Sequence, residues 1–215
     1  MNHIFKLLLA AILFTSCSSD DSAITSGTAQ VNIINVLEGS AKQDIYFDDA
    51  KSTITPLGYL ESTGYSALPA GNRKIEFKNT GTAFVNSSSS LRTTADRFYT
   101  YFFSGGNQNT ALQVEDSRIP SALNNARVRF IHFSYANQNT GITVRNASDA
   151  ALISNLGFKT ASSYIEVEPA SVLRIFASGG TTPILTTNFN FLANKNYTLF
   201  ISGNTTPTFT VLVNN

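Results

Sequence analysis

The chain has 215 residues, with 15 Lys/Arg against 14 Asp/Glu, a formal charge of +1 and only 13% charged residues. No long block of like charge occurs, which excludes electrostatic capture of nucleic acid or of an anionic surface, because either needs clustered cations. Phe and Tyr are plentiful (16 and 8), and Thr, Ser and Asn far outnumber Lys and Glu, so pleated sheet is favoured over long solvent-facing helices.

In chain order, the first feature is a basic start (Lys6), an apolar stretch from Leu7 to Phe14, two small residues (Thr15 and Ser16) and then Cys17, the only cysteine. Eight apolar residues are too few to cross a bilayer, which takes about 20. A short apolar run behind a basic start reads as a targeting segment. The layout predicts a bacterial lipoprotein signal peptide over 1–16, cut before Cys17, whose thiol then carries lipid. A plain secretory signal is the alternative, but a lone thiol in an oxidising compartment argues for capping. Two or more acyl chains anchor stably, at about 0.8 kcal/mol per buried methylene.

Residues 17–27 are small and polar without periodicity and are predicted to be a flexible tether. Ser18 and Ser19 resemble the sorting positions of outer-membrane lipoproteins. Asp20 and Asp21 resemble a surface-export tag, although simple solubility explains them equally well. The expected location is the outer membrane, exposed at the cell surface, with the periplasmic face as the alternative. Without residues 1–16 the side-chain charge balances to zero, since Lys6 is the only charged residue lost.

The main organisational fact is an internal repeat. Ala29–Val36 matches Ala126–Phe133 at an offset of 97, and Leu57-Gly58-Tyr59 matches Leu156-Gly157-Phe158 at 99. Tyr65 matches Tyr164, Pro69-Ala70 matches Pro169-Ala170, and Tyr99–Gly105 matches Tyr197–Gly203. Two domains follow, 28–120 and 121–215, each of a size to fold alone. Apolar residues alternate at period two within each copy, and Gly, Asn and Pro punctuate the runs. The pattern predicts immunoglobulin-like antiparallel sandwiches of about seven strands. In the second copy the expected strands are 126–133, 141–145, 151–156, 161–167, 171–177, 184–191, 195–202 and 207–213. Tyr65, Tyr164, Tyr99 and Tyr197 recur in both copies and are expected to pack rather than to contact ligand.

These segments resemble the domain of unknown function 4397, a β-sandwich module of secreted and lipid-anchored bacterial proteins. The resemblance lies in Ala126–His132, Asn155–Phe158, Ser163-Tyr164, Val167–Ala170 and Phe191–Gly203, and more weakly in the first copy. The resemblance implies no catalytic residues. Two departures stand out: Phe133–Asn137 replaces the family's Pro- and Asp-bearing loop, and Asn35 stands where the second copy has His132.

Reactive chemistry is not written in the sequence. One histidine, His132, remains after the signal, and no Gly-x-Ser-x-Gly turn accompanies it. It is expected to bond to backbone. One His and a lipidated Cys do not make a zinc set. Asp44, Asp48 and Asp49 lack the ordered spacing of a calcium loop. Of the acidic pairs, Asp48-Asp49 and Glu115-Asp116 are adjacent and expected to point to opposite faces of a strand, while Glu166/Glu168 are expected on one face beside a turn, where they are solvated. No catalytic residue, metal site or cofactor is expected.

The sequence therefore predicts a lipid-anchored, non-enzymatic binding module. Its candidate binding loops carry Tyr135, Asn137, Gln138 and Asn139 in one copy and Asn107, Gln108 and Asn109 in the other, fitted to a glycan or protein partner. The alternative is a fimbria-like structural subunit using the apolar strand 208–213, and a hydrolase is a remote third.

Overall fold

A computed structural model describes residues 27–52, 55–105 and 111–215. The predicted signal peptide, Cys17 and the tether up to residue 26 lie outside the described residues, as do Asn107, Gln108 and Asn109.

The first repeat runs β1 (Thr28–Asn35), β2 (Gln43–Phe47), β3 (Ala50–Lys51), β4 (Ser66–Pro69), β5 (Gly71–Asn79), β6 (Val85–Thr93), β7 (Phe98–Phe103) and β8 (Leu112–Glu115). The second runs β9 (Ala126–His132), β10 (Ile142–Arg145), β11 (Ala151–Leu156), β12 (Ile165–Val167), β13 (Arg174–Ala177), β14 (Pro183–Thr186), β15 (Asn196–Ser202) and β16 (Thr208–Val213), with one 3-10 turn at Tyr135–Asn137. All eight segments expected in the second copy are found, most within a residue or two of the expected limits. The exceptions are β12, whose predicted start at 161 is a single bridge to Ile131, β13, which begins at Arg174 rather than at 171, and β14, which ends at Thr186.

Each repeat is a sandwich of two four-stranded sheets. The orders are β4-β1-β7-β8 over β3-β2-β5-β6 and β12-β9-β15-β16 over β11-β10-β13-β14. Pairing is antiparallel except at the centre of one sheet per repeat, where β1 runs parallel to β7 and β9 parallel to β15. Local chemistry fixes the turns. Asp48 and Asp49, between β2 and β3, both take positive φ (47° and 69°), the geometry that matches the twist of a two-residue hairpin.

Val31, Ile33, Tyr101 and Phe103 meet Ile45, Ile75, Phe77 and Leu91 inside the first sandwich. Val128, Phe130, Leu199 and Ile201 meet Ile142, Val144 and Ile175 inside the second. Tyr99 and Tyr197 are buried, and each hydroxyl accepts from the backbone N–H five residues upstream, Thr94 at 3.2 Å and Leu192 at 3.0 Å. That arrangement resembles the tyrosine corner of immunoglobulin sandwiches.

A third core joins the repeats. Ile34, Val36 and Phe102 from the first pack on Ile131, Phe133 and Phe200 from the second. These are matched positions, so the two copies meet through equivalent faces, as the subunits of a two-fold dimer do. The molecule is thus four sheets deep, and β1, β7, β9 and β15 are buried on both faces. Period-two alternation therefore separates two apolar layers here, rather than a core from solvent. The expectation that each copy folds alone meets a physical obstacle, because a separated repeat would expose this apolar face.

Candidate functional site

The four central strands all begin at one end of the molecule, called proximal here, and finish at the other, distal end. At the proximal end, Arg127 Nη1 donates to Ser117 Oγ (3.1 Å) and Asn196 Nδ2 donates to the Ile119 carbonyl (3.0 Å). At the distal end, Tyr59 and Ser202 hydroxyls pair at 3.1 Å, the Tyr135 hydroxyl donates to the Ser104 carbonyl (2.9 Å), and Asn204 N–H donates to Glu38 Oε2 (2.6 Å).

Both candidate loops rise from the distal end. One leaves β7 through Ser104-Gly105 and re-enters β8 at Leu112. The other leaves β9 and re-enters β10. The Tyr135–Ser104 bond ties their bases together. Tyr135 is otherwise occupied by packing: its ring lies edge-on to Phe158 with centroids 4.9 Å apart, and burial pushes its phenol pKa up. Asn137 is half-buried and turned inward, its Oδ1 accepting from Ser134 Oγ at 3.2 Å. Gln138 and Asn139 are exposed, and their side-chain amides make no hydrogen bond among the described residues.

Two further residues at the distal end were not singled out from the sequence. Lys159 Nζ lies 5.7 Å from the Tyr135 ring and 5.5 Å from that of Phe158, and burial lowers its pKa. Phe84, on the distal turn between β5 and β6, is 65% exposed. No sequence signal marks Phe84 as exposed, since it sits between Ala83 and Val85 in a short apolar run that reads as the start of a strand.

His132 closes β9. Its Nδ1 accepts from Ser134 N–H at 3.2 Å, and its Nε2 lies 3.3 Å from the carbonyls of Asn137 and Thr140. Asn35 does the same at the end of β1: its Oδ1 accepts from Leu37 N–H (2.9 Å) and its Nδ2 donates to Ser40 Oγ and the Leu57 carbonyl. One local device thus uses two side chains that each offer an acceptor and a donor. Burial lowers the His132 pKa below its ordinary 6.5.

The acidic pairs are dispersed. Lys51 sits 2.9 Å from Asp44, Arg73 2.5 Å from Asp48 and Lys74 2.7 Å from Asp49. Glu115 faces outward toward Arg97 (3.3 Å), whereas Asp116 turns inward to a buried ion pair with Arg129. Glu166 accepts from Ser121 Oγ (2.6 Å). No group of three or more His, Cys, Asp or Glu is placed to hold a metal among the described residues.

The Asp116–Arg129 pair is the polar centre of the joint. Asp116 also accepts from Thr100 Oγ1 (2.6 Å) and Tyr65 OH (2.8 Å). Arg129 also donates to the Glu115 carbonyl (2.8 Å) and Thr198 Oγ1 (2.7 Å), and its guanidinium lies 4.9 Å from the Tyr164 ring. Burial and the Asp116 charge push the Tyr65 phenol up to about 12. The positions matching Arg129 and Asp116 in the other repeat are Asn32 and Asn214, so the ion pair breaks the two-fold equivalence.

A family model described as a domain of unknown function (DUF4397) matches residues 29–143. The chain belongs to this family. The DUF4397 match takes in the whole first repeat, the connection and the start of the second, whereas the sequence resemblance was strongest over 126–213. Of the second repeat, only residues 126–143 fall within the match. No curated protein matches the chain. A solved structure titled "The Bacillus anthracis TIE protein" aligns at 10% identity and a TM-score of 0.26, over 82% of this chain and 34% of that one. The chain therefore spans about a third of that structure's length.

Proposed function

We propose that the protein is a lipid-anchored, extracytoplasmic binding module without catalytic activity. Cys17 holds it to the outer membrane at the cell surface, and its distal loops engage a glycan or protein. The observation that carries this reading is polarity along the long axis: the chain enters β1 at Gly27, at the opposite end from the paired loops. Exposed amides at Gln138 and Asn139 offer hydrogen bonds, and the exposed Phe84 ring offers a stacking face at the same end.

Glycan-array and pull-down screens with the soluble 18–215 fragment test the binding half of the proposal. Retention of a ligand that falls at least tenfold in a Gln138→Ala/Asn139→Ala variant supports it, and no retention anywhere overturns it. Labelled palmitate that enters the wild type but not Cys17→Ala supports the anchor, and protease shaving of intact cells reads the leaflet.

One observation favours a second reading, a structural subunit. β16 is a sheet edge, hydrogen-bonded only to β15 among the named strands, and unpaired edges recruit strands from neighbours. A purified protein that sediments as a monomer throughout a concentration series would dismiss it.

A further inference from the structure

Seven large apolar side chains are exposed among the described residues, and five of them lie at the proximal end. Ile119 (71% exposed) and Leu123 (70%) stand on the connection between repeats. Leu192 stands on the loop entering β15, Val172 between β12 and β13, and Val213 at the finish of β16. Hydrogen bonds bring these segments together: Asn196 Nδ2 donates to the Ile119 carbonyl, Asn194 N–H to the Asn125 carbonyl (2.8 Å), and Ala170 N–H to the Phe191 carbonyl (3.0 Å). Scattered exposed apolar residues need no explanation, but a cluster at one end does. Two cations flank the cluster. The Arg118 guanidinium lies 3.6 Å from the Phe98 ring centroid and has no carboxylate partner among the described residues, and Lys195 Nζ donates to the Asn215 main-chain oxygen across a long 3.5 Å.

We propose that this proximal end docks on the lipid bilayer, with Ile119, Leu123 and Leu192 entering the headgroup layer and Arg118 and Lys195 meeting phosphates. The inference rests on the anchored reading above, and chain length supplies its argument. Gly27, where the described chain begins, lies at this same end. Only nine residues lie between it and Cys17, and the ten Cα steps span at most about 33–36 Å fully extended. The end that carries the apolar cluster is thus the end an anchor holds beside the membrane. Tethering raises the effective concentration of a weak contact, so a small cluster suffices. Apolar side chains with a cationic rim are the ordinary chemistry of interfacial binding, and long cationic stems let their heads reach water. Docking would stand the sandwiches upright and lift the distal loops away from the bilayer by the length of the central strands, about 3.3 Å per residue.

The chain contains no Trp and a single Cys, which makes a clean test possible. The 17–215 chain is coupled through Cys17 to maleimide lipids in phosphatidylcholine vesicles containing some phosphatidylglycerol, so that an anchor is present whether or not a cell supplies one. Leu123→Trp is the reporter and Phe84→Trp the distal control. Both positions are exposed, so neither change disturbs a core. Docking predicts a blue-shifted emission at position 123 that brominated acyl chains quench, no change at position 84, and quenching reduced at least threefold when Ile119→Ser and Leu192→Ser are added. Emission at position 123 that is identical with and without vesicles overturns the proposal. So does a blue shift that appears without lipid and tracks dimer formation, because the occupant is then a second copy. Palmitate labelling in cells is read separately, so loss of the anchored reading is distinguishable from loss of the docking face.

Discussion

At the residue scale, the informative comparison is between positions that match across the repeat. His132 and Asn35 perform the same strand-ending task, but only His132 carries a titratable group, one whose ordinary pKa is 6.5. Because burial depresses its folded pKa, the unfolded chain takes up a proton at a higher pH than the folded one. The associated stability is complete above pH 6.5 and is lost as pH falls below it. His132→Asn, the side chain the first repeat already uses, is expected to keep the fold and to flatten the decline in Tm between pH 7 and pH 5. Thermal melts across that range check it. Tyr65 has the opposite sign. Its folded pKa of about 12 lies above the ordinary 10.0, so stability is complete below pH 10 and falls as pH rises toward 12. Tyr65→Phe should remove that alkaline slope.

The Asp116–Arg129 pair makes a stronger prediction. The Asp116 side chain is fully buried and that of Arg129 is 5% exposed. Asp116→Ala strands a buried guanidinium and should cost about 3–5 kcal/mol. Replacing both by Asn copies the residues at the matched positions 32 and 214 and should cost less than Asp116→Ala alone, with Asp116→Asn and Arg129→Asn completing a double-mutant cycle in urea. Neither residue was singled out for this role from sequence. Glu115-Asp116 is legible as two acids facing opposite ways, but which of them is buried depends on a partner that arrives from the other repeat.

At the scale of elements, the central strands were legible as strands and misleading as surfaces. Tyr99–Phe103 alternates, and sequence assigns Tyr101 and Phe103 to one face and Phe102 to the other. Nothing local says that the second face meets another sheet, because an apolar face turned to solvent and one turned to a partner have the same period. The repeat itself held the clue: Ile34, Val36 and Phe102 have apolar counterparts at every matched position. Phe102→Ala should cost about 3–5 kcal/mol by opening a cavity between the repeats. Fragment 27–120 should self-associate through its exposed joint face, which sedimentation at increasing concentration would reveal, and it should become monomeric when Ile34 and Phe102 are both made polar.

At the scale of the whole molecule, sequence located the loops Tyr135–Thr140 and Asn107–Thr110 without placing them together. The strand ends that carry them, at Phe103 and His132, come together through the parallel β1–β7 and β9–β15 pairs and the two-fold joint, which turn corresponding strand ends the same way. Four separate segments build the apolar proximal end, so no window of sequence shows it. Tyr135 illustrates the limit from the other side. An aromatic in a polar loop reads as a contact residue, yet its hydroxyl spans the joint, and Gln138 and Asn139 are left as the outward-facing members.

The position of β1 has a mechanical consequence. It lies inside its sheet, paired with β4 over Thr28–Val31 and with β7 over Gln30–Asn35, and it is the strand through which a tether at Gly27 would be pulled. A ligand dragging on the distal loops would load β1 along its own axis, straining many backbone bonds at once against both neighbours. A tether attached after Val213 would load β16 along its axis too, but against β15 alone, so fewer backbone bonds would share the pull. Fastening the chain at its amino end thus makes the sandwich resist in shear, the geometry suited to holding on under flow.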